Sequence, residues 1–447
     1  QKIIPEKIEG VETNRNITAF LIVIKLPLAY FLLIKEKILF KRVFYFLLIF
    51  ISFTILFLLN SRGAILAVLF SLIALILVLF NYKNKKYFKK GIILLIAIGA
   101  AFSLNYFTKG NNENSLERIY TLTKGVEDGS INQRVQFYKA TIDQFLKKPL
   151  TGVGVGNWKL ISTGYYKKNV TGYMVPKNAH NDFLEFAAEL GLPGFLMFML
   201  ICFYPIFLLF FRKKLKTPLI QIIFLISLLI FIFDSSINFP FSRPSEIVFF
   251  LFISAFLTGS YIKPQKTTKR YSSLILIFIF ILVIPALYVS SKLFISQVEQ
   301  RVLTIDFNRG DGKTQIPLEV ANKFNYTFPN ITLTTLPISS MIARIYVAND
   351  NYDKAIKLCQ DANSANPYIH YPNFLLGKIY QEKGVIDSAS YYLEKAYRGL
   401  PANSLHQTGY LEFLASNKEK KKLKALFKTL SNKKDVIQWR IYLNYLN

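Results

Sequence analysis

Long apolar runs separated by polar interruptions occupy about half of the first 291 residues. Runs at 17–34, 42–59, 63–80, 91–107, 192–211, 218–233, 246–262 and 272–291 each approach the roughly 17 to 25 residues that a helix needs to cross about 30 Å of hydrocarbon. Backbone polar groups in lipid must satisfy one another, so the runs predict membrane-spanning helices. The first is the weakest, because Lys25 and Pro27 interrupt it. One interruption is of a different kind. The stretch 108–191 is polar and far longer than a connector needs to be, and loops of that length usually carry function.

Beyond residue 291 the pattern becomes that of amphipathic helices. "SSMIARIYVANDNYDKAIKLCQDANSANP" aligns with "FLLGKIYQEKGVIDSASYYLEKAYRGLP". Ala343 and Gly377, Tyr346 and Tyr380, Ala355 and Ala389, Ala362 and Ala396, and Pro367 and Pro401 are each 34 residues apart. This period, with small residues where helices cross and Pro at the exit, resembles tetratricopeptide helical hairpins. A third, degenerate copy is predicted over 404–437, with Leu423, Phe427 and Leu430 on its apolar face and a Lys-rich helix as a solvated cap. The expected organisation is a transmembrane domain over 1–291 that includes the loop 108–191, a linker over 292–335, and a repeat domain over 336–447. The fold class is all-α: a polytopic transmembrane helical bundle with a C-terminal helical solenoid.

Charge then orients the chain. The net charge of +28 in 447 residues would suggest nucleic acid in a soluble protein, but 52% of residues are hydrophobic and no nucleic-acid-binding motif accompanies the basic residues. They cluster at Lys35–Arg42, Lys83–Lys90, Arg212–Lys216 and Lys263–Arg270, after the first, third, fifth and seventh runs. By the positive-inside rule these ends are cytoplasmic. The long loop, the stretch 234–246 and the whole tail then lie on the opposite, outer side of the membrane. The two cysteines, Cys202 and Cys359, are too few for a disulfide framework or a structural zinc site. The chain opens on Gln1 without a leader pattern, and further spans are expected upstream.

Candidate chemistry lies at the outer boundaries. His180 stands in "KNAHNDFLEFAAELGLPGF", where the long loop enters an apolar run. One reading is structural: Asn178 to Asp182 simply cap a helix. The other is functional, since imidazole is the side chain best suited to moving protons near neutral pH. Arg62 in "NSRG", Arg134 in "INQRVQFYKATIDQF" and Arg243 in "FPFSRPSE" lie in three separate outer segments. Each alone reads as an interfacial anchor. Converging, their guanidinium forks would clamp phosphate oxygens. "TGVGVGN" (151–157) lacks the GKS or GKT ending of a nucleotide loop and is read as a Gly-permitted turn. No HExxH or CxxC occurs, so neither a metal nor another cofactor is expected.

Together these segments resemble the bacterial O-antigen ligase and polymerase superfamily, which also includes protein O-oligosaccharyltransferases. The pattern is matched by Arg134, Pro149, Gly152, Gly154, His180, Asn181, Asp182, Phe183, Leu184, Glu189, Gly191 and Gly194. Pro193 departs from it by replacing a hydrophobic residue. "SRGAIL" and "ETNRNITAFL" extend the resemblance to about residues 12–262. The resemblance implies a GT-C-like glycosyltransferase that moves a glycan from a polyprenyl-diphosphate carrier to a glycolipid, glycan or protein acceptor. His180 would be the base. Arg62, Arg134 and Arg243 would hold the diphosphate, and Asn181, Asp182, Glu189, Gly152 and Gly154 would support the loop. Close relatives differ in acceptor alone: a glycan polymerase or a protein O-oligosaccharyltransferase. A transporter of lipid-linked sugars could use the same arginines, and a tethered scaffold would need only the repeats. The concave repeat surface suits a protein partner.

Overall fold

The computed structural model describes residues 14–59, 61, 63–69, 72, 96–103, 129–173, 175–211, 219–259, 269–309 and 314–430. Its helices in the first part are α1 (Arg15–Val23), α2 (Leu26–Lys35), α3 (Leu39–Leu59), α4 (Gly129–Lys147), α5 (Trp158–Tyr165), α6 (Asp182–Phe211), α7 (Leu219–Ile237) and α8 (Pro244–Gly259). The remainder are α9 (Lys269–Phe307), α10 (Leu318–Ala321), α11 (Ile338–Val347), α12 (Tyr352–Ala365), α13 (Tyr371–Glu382), α14 (Ile386–Gly399), α15 (Ser404–Ser416) and α16 (Lys420–Leu430). Residues 63–69 and 96–103 are also helical. Among the described residues no strand forms; an isolated bridge joins Ile331 to Pro337.

Five described helices are long and apolar enough to cross a membrane: Arg15–Lys35, Leu39–Leu59, Asp182–Leu208, Leu219–Ile237 and Ser273–Phe307. The protein is thus a polytopic helical membrane protein. The weak first run is split as its composition suggests, into α1 and α2, with Pro27 in the first turn of α2 where its missing N–H is harmless. The predicted runs 63–80 and 91–107 fall partly outside the described residues.

The chain divides into two compact units, one of Gln1–Val155 with Asn178–Gln265, the other of Gly156–Lys177 with Lys266–Asn447. In the first unit, Phe20, Tyr30, Phe53, Phe198, Phe231 and Phe250 are buried in one apolar cluster contributed by α1, α2, α3, α6, α7 and α8. With lipid as apolar as leucine, such packing relies on close contact rather than exclusion of water. Its centre is aromatic. Phe241 meets Phe198, Phe231 and Phe250 edge-on at centroid distances of 4.9, 5.0 and 5.1 Å.

In the second unit the 34-residue period becomes helical hairpins, α11 with α12 and α13 with α14, followed by α15 and α16. Ala343, Ala355, Ala362, Ala389 and Ala396 are fully buried. At Gly377 a Cβ would lie 2.5 Å from Cγ of Leu393, so helix approach demands the smallest residue there. Leu423 of the third copy is buried. One difference from expectation concerns 292–335, read above as a linker. Its beginning is helical, because α9 runs on to Phe307. Ser296, Gln300, Leu303 and Asp306 form a buried stripe at helical spacing, and Asp306 pairs with the buried Arg344 of α11.

Candidate functional site

The first unit gathers three segments at the start of α6. The foundation is a break in that helix. Gly191 has φ 67° and ψ −175°, a conformation open essentially to glycine alone. Pro193 has no N–H, so the Glu189 carbonyl has no donor four residues on; Leu192 donates instead to the Pro149 carbonyl, at 2.7 Å. The two carbonyls thus left open in α6 take N–H groups from the glycine loop: Val153 donates to Ala188, and Gly154 to Glu189, each at 2.9 Å. The approach is too close for side chains. A Cβ at Gly152 would lie 2.2 Å from the Glu189 oxygen, and one at Gly191 would lie 2.4 Å from the Leu150 oxygen. Gly152, Gly154, Gly191 and Pro193 therefore form one mutual contact, and Glu189 contributes to it through its backbone oxygen.

Upstream of the break, Asn181 caps α6: its Oδ1 accepts from Leu184 N at 3.0 Å. The structural reading of this stretch is correct for Asn181. Asp182 does something else, since its Oδ2 accepts from Phe241 N at 3.1 Å and so ties the 3₁₀ turn Pro240–Ser242 to α6. Glu185 binds back to the preceding turn, accepting from Ala179 N at 2.6 Å and from Asn178 Nδ2 at 3.2 Å. Asn178 also donates to Ser242 Oγ at 3.0 Å. His180 is held between these anchors with φ 58°, a left-handed backbone uncommon for a residue other than glycine.

Helix α4 supplies a third wall. Arg134, Phe137 and Tyr138 share one face at i, i+3 and i+4 spacing. Tyr138 Oη donates to the His180 carbonyl at 3.0 Å, and the Phe137 ring stacks on the imidazole at 6.0 Å. Burial raises the pKa of Tyr138, keeping its hydroxyl a donor. On the other side Phe239 meets the imidazole edge-on at 4.9 Å, and the same ring carries the Arg243 guanidinium at 4.4 Å. Arg243 Nη1 donates to Glu246 at 2.9 Å.

The polar groups left over define what the site can do. His180 Nδ1, Arg243 Nε and Arg243 Nη2 are buried with no hydrogen-bond partner among the described residues. Buried polar atoms left unpaired are rare because each costs about 1–3 kcal/mol. Burial pushes the His180 pKa down to about 4, aided by the positive charges of Arg134 and Arg243. The imidazole is neutral at physiological pH, in a cationic, aromatic-walled setting that favours an incoming anion.

The structure therefore brings His180, Arg134 and Arg243 together, with Asn181, Asp182, Glu189, Gly152 and Gly154 in the supporting framework. Arg62 lies outside the described residues. Sequence reasoning missed Tyr138, Phe137, Phe239 and Glu185, and named Asn178 as part of the helix cap alone. The helical spacing from Arg134 could have pointed to the first two.

Fold and site together define a polytopic helical membrane protein with a cationic, imidazole-bearing turn at the head of a membrane helix. Residues 47–199 match the family profile described as O-antigen ligase. The match takes in Arg134, both sides of the glycine contact and His180, and ends before Arg243. No curated protein and no solved structure matches the chain.

Proposed function

We propose that this protein transfers a glycan from a polyprenyl-diphosphate carrier to an acceptor hydroxyl at the outer face of a bacterial inner membrane. The observation that carries the reading is the trio of buried, unpartnered nitrogens, Nδ1 of His180 with Nε and Nη2 of Arg243. A guanidinium edge without a carboxylate is a seat for phosphate oxygens. As the bond from the anomeric carbon to the diphosphate breaks, its electron pair leaves on the diphosphate oxygen, and preplaced cations stabilise that charge. Arg243 and Arg134 supply it here, and Arg62 is proposed to join them. The acceptor oxygen attacks the opposite face of the anomeric carbon, inverting it, while its proton passes to the His180 imidazole.

A base with a pKa near 4 is weak, and the donor itself corrects this. Diphosphate charge placed beside the two arginines offsets the cations that depress the imidazole, so the base strengthens when substrate is present. The supporting loop needs neither metal nor other cofactor in this scheme. Ligase, polymerase and protein O-oligosaccharyltransferase readings share it and differ in the acceptor.

Reconstitution in liposomes with lipid-linked glycan extracted from the host membrane tests it. Loss of transfer in both His180→Ala and Arg134→Ala is expected. Retained transfer in His180→Ala with loss in Arg134→Ala would remove the base and keep the clamp. Passage of lipid-linked glycan across the bilayer without transfer would favour the transporter reading.

A further inference from the structure

An arginine can offer an oxyanion either of two edges, Nη1 with Nη2 at its end or Nε with Nη2 along its side. At Arg243 the protein has already made the choice. Nη1 donates to Oε1 of Glu246 at 2.9 Å, one turn along at the head of α8, in an ion pair whose side chains are 9% and 2% exposed. One face of the guanidinium lies over the Phe239 ring at 4.4 Å. With that face covered and Nη1 taken, Nε and Nη2 remain, the two buried nitrogens without a hydrogen-bond partner among the described residues. They are the adjacent donors of the side edge, whose parallel N–H bonds match two oxygens of one phosphate.

Two further carboxylates, Asp182 and Asp234, interact electrostatically with Arg243. Each has an oxygen committed elsewhere: Asp182 Oδ2 accepts from Phe241 N at 3.1 Å, and Asp234 Oδ1 from Asn238 Nδ2 at 2.6 Å. We infer that Glu246 is a positioning residue: by gripping Nη1 it fixes the guanidinium so that the side edge stays open for one phosphate of the donor and is kept from Asp182 and Asp234. The inference rests on the proposed diphosphate seat. It predicts an effect of opposite sign to that of charge alone. Glu246 is an anion beside an anion seat, so by Coulomb's law its removal would tighten diphosphate binding. If orientation is its task, removal weakens binding, because the freed guanidinium turns away.

The experiment measures binding of radiolabelled farnesyl diphosphate to the full chain in nanodiscs, with empty discs as the blank, and donor-saturated transfer in liposomes. Glu246→Asp keeps the charge but falls one methylene short of Nη1; its Kd should rise about tenfold and its turnover fall by about tenfold to a hundredfold. Glu246→Ala should change both in the same direction. Glu246→Gln keeps an oxygen for Nη1 and loses the charge, so it should bind no more weakly than the unaltered protein and restore most of the turnover lost in Glu246→Ala. Should Glu246→Ala fail to fold, the other two variants decide. Tight binding in Glu246→Asp, or binding in Glu246→Gln as weak as in Glu246→Asp, would overturn the inference, as would fewer binding sites at an unchanged Kd, the mark of a merely structural role. Arg243→Ala keeps the two proposals apart. Undiminished binding there would remove the seat and the inference with it, whereas weakened binding there with none lost in Glu246→Asp would defeat the inference and leave the seat.

Discussion

His180, half-buried, and His406, fully buried, both have depressed pKa values, about 4 and about 3, and in both the first cause is desolvation. Their surroundings differ in kind. His406 sits within a helix with both ring nitrogens engaged, one on the Ala396 carbonyl and one on the Tyr173 hydroxyl. His180 sits on a strained turn with Nδ1 unpartnered among the described residues, beside a guanidinium with two unpartnered nitrogens of its own. Backbone strain alone does not separate structural from reactive histidines, since His370 in the repeats also has φ 55°. A shifted pKa does not separate them either. The distinction lies in whether the polar atoms are already spent within the protein.

The sharpest contrast is functional. His180→Ala should lower transfer by about 10² to 10⁴, the usual loss of a general base, while His406→Ala should stay within about tenfold, as judged by transfer in liposomes. A similar loss in both would erase the distinction. Arg134→Ala should cost about 10² to 10³ in turnover, as for other preplaced donors to a developing anion. Glycine substitutions sharpen the framework. Gly152→Ala and Gly191→Ala drive a Cβ into backbone oxygen and should abolish folding of the first unit or lower its thermal midpoint steeply, seen in detergent by fluorescence-detected unfolding. Gly156→Ala, equally left-handed but with nothing within 4 Å, should cost only about 1–2 kcal/mol.

Acid should separate the two histidines most gently. Each is a base whose folded pKa is lowered, so the unfolded chain binds the proton that the folded chain refuses. Below the ordinary imidazole value near 6.5, the second unit should lose up to about 1.4 kcal/mol per pH unit down to about 3 on account of His406. His406→Gln should make that slope shallower without abolishing it in a pH series of thermal midpoints, because His370 in the same unit is also lowered by burial, to about 4, and keeps its share. For His180 the readout is kinetic: kcat/KM should hold from neutrality down to about pH 4 and fall tenfold per unit below it.

Hydropathy made the spans legible, because lipid allows only one backbone solution over such runs. The 34-residue period was equally legible, since each pair of small residues marks a crossing, as Gly377 against Leu393 shows. The glycine pattern predicted a tight turn, but not that Gly152 and Gly191 face one another. Pro193, the departure from the family pattern, is explained only in three dimensions, by the carbonyl it leaves open for Gly154. Phe239 and Phe241 carried no sequence signal among 41 phenylalanines, and their roles come entirely from packing. Tyr173 was hidden for the same reason, with its partner His406 more than two hundred residues away.

The central claim is that the unpartnered imidazole and guanidinium share one anion seat. With only three histidines in the chain, 13C-labelled imidazoles can be titrated individually by NMR, with and without farnesyl diphosphate as the probe. The account predicts that the diphosphate raises the pKa of His180 by a unit or more from about 4, and leaves His370 and His406 unmoved. A His180 titration that the saturating probe does not shift would contradict it.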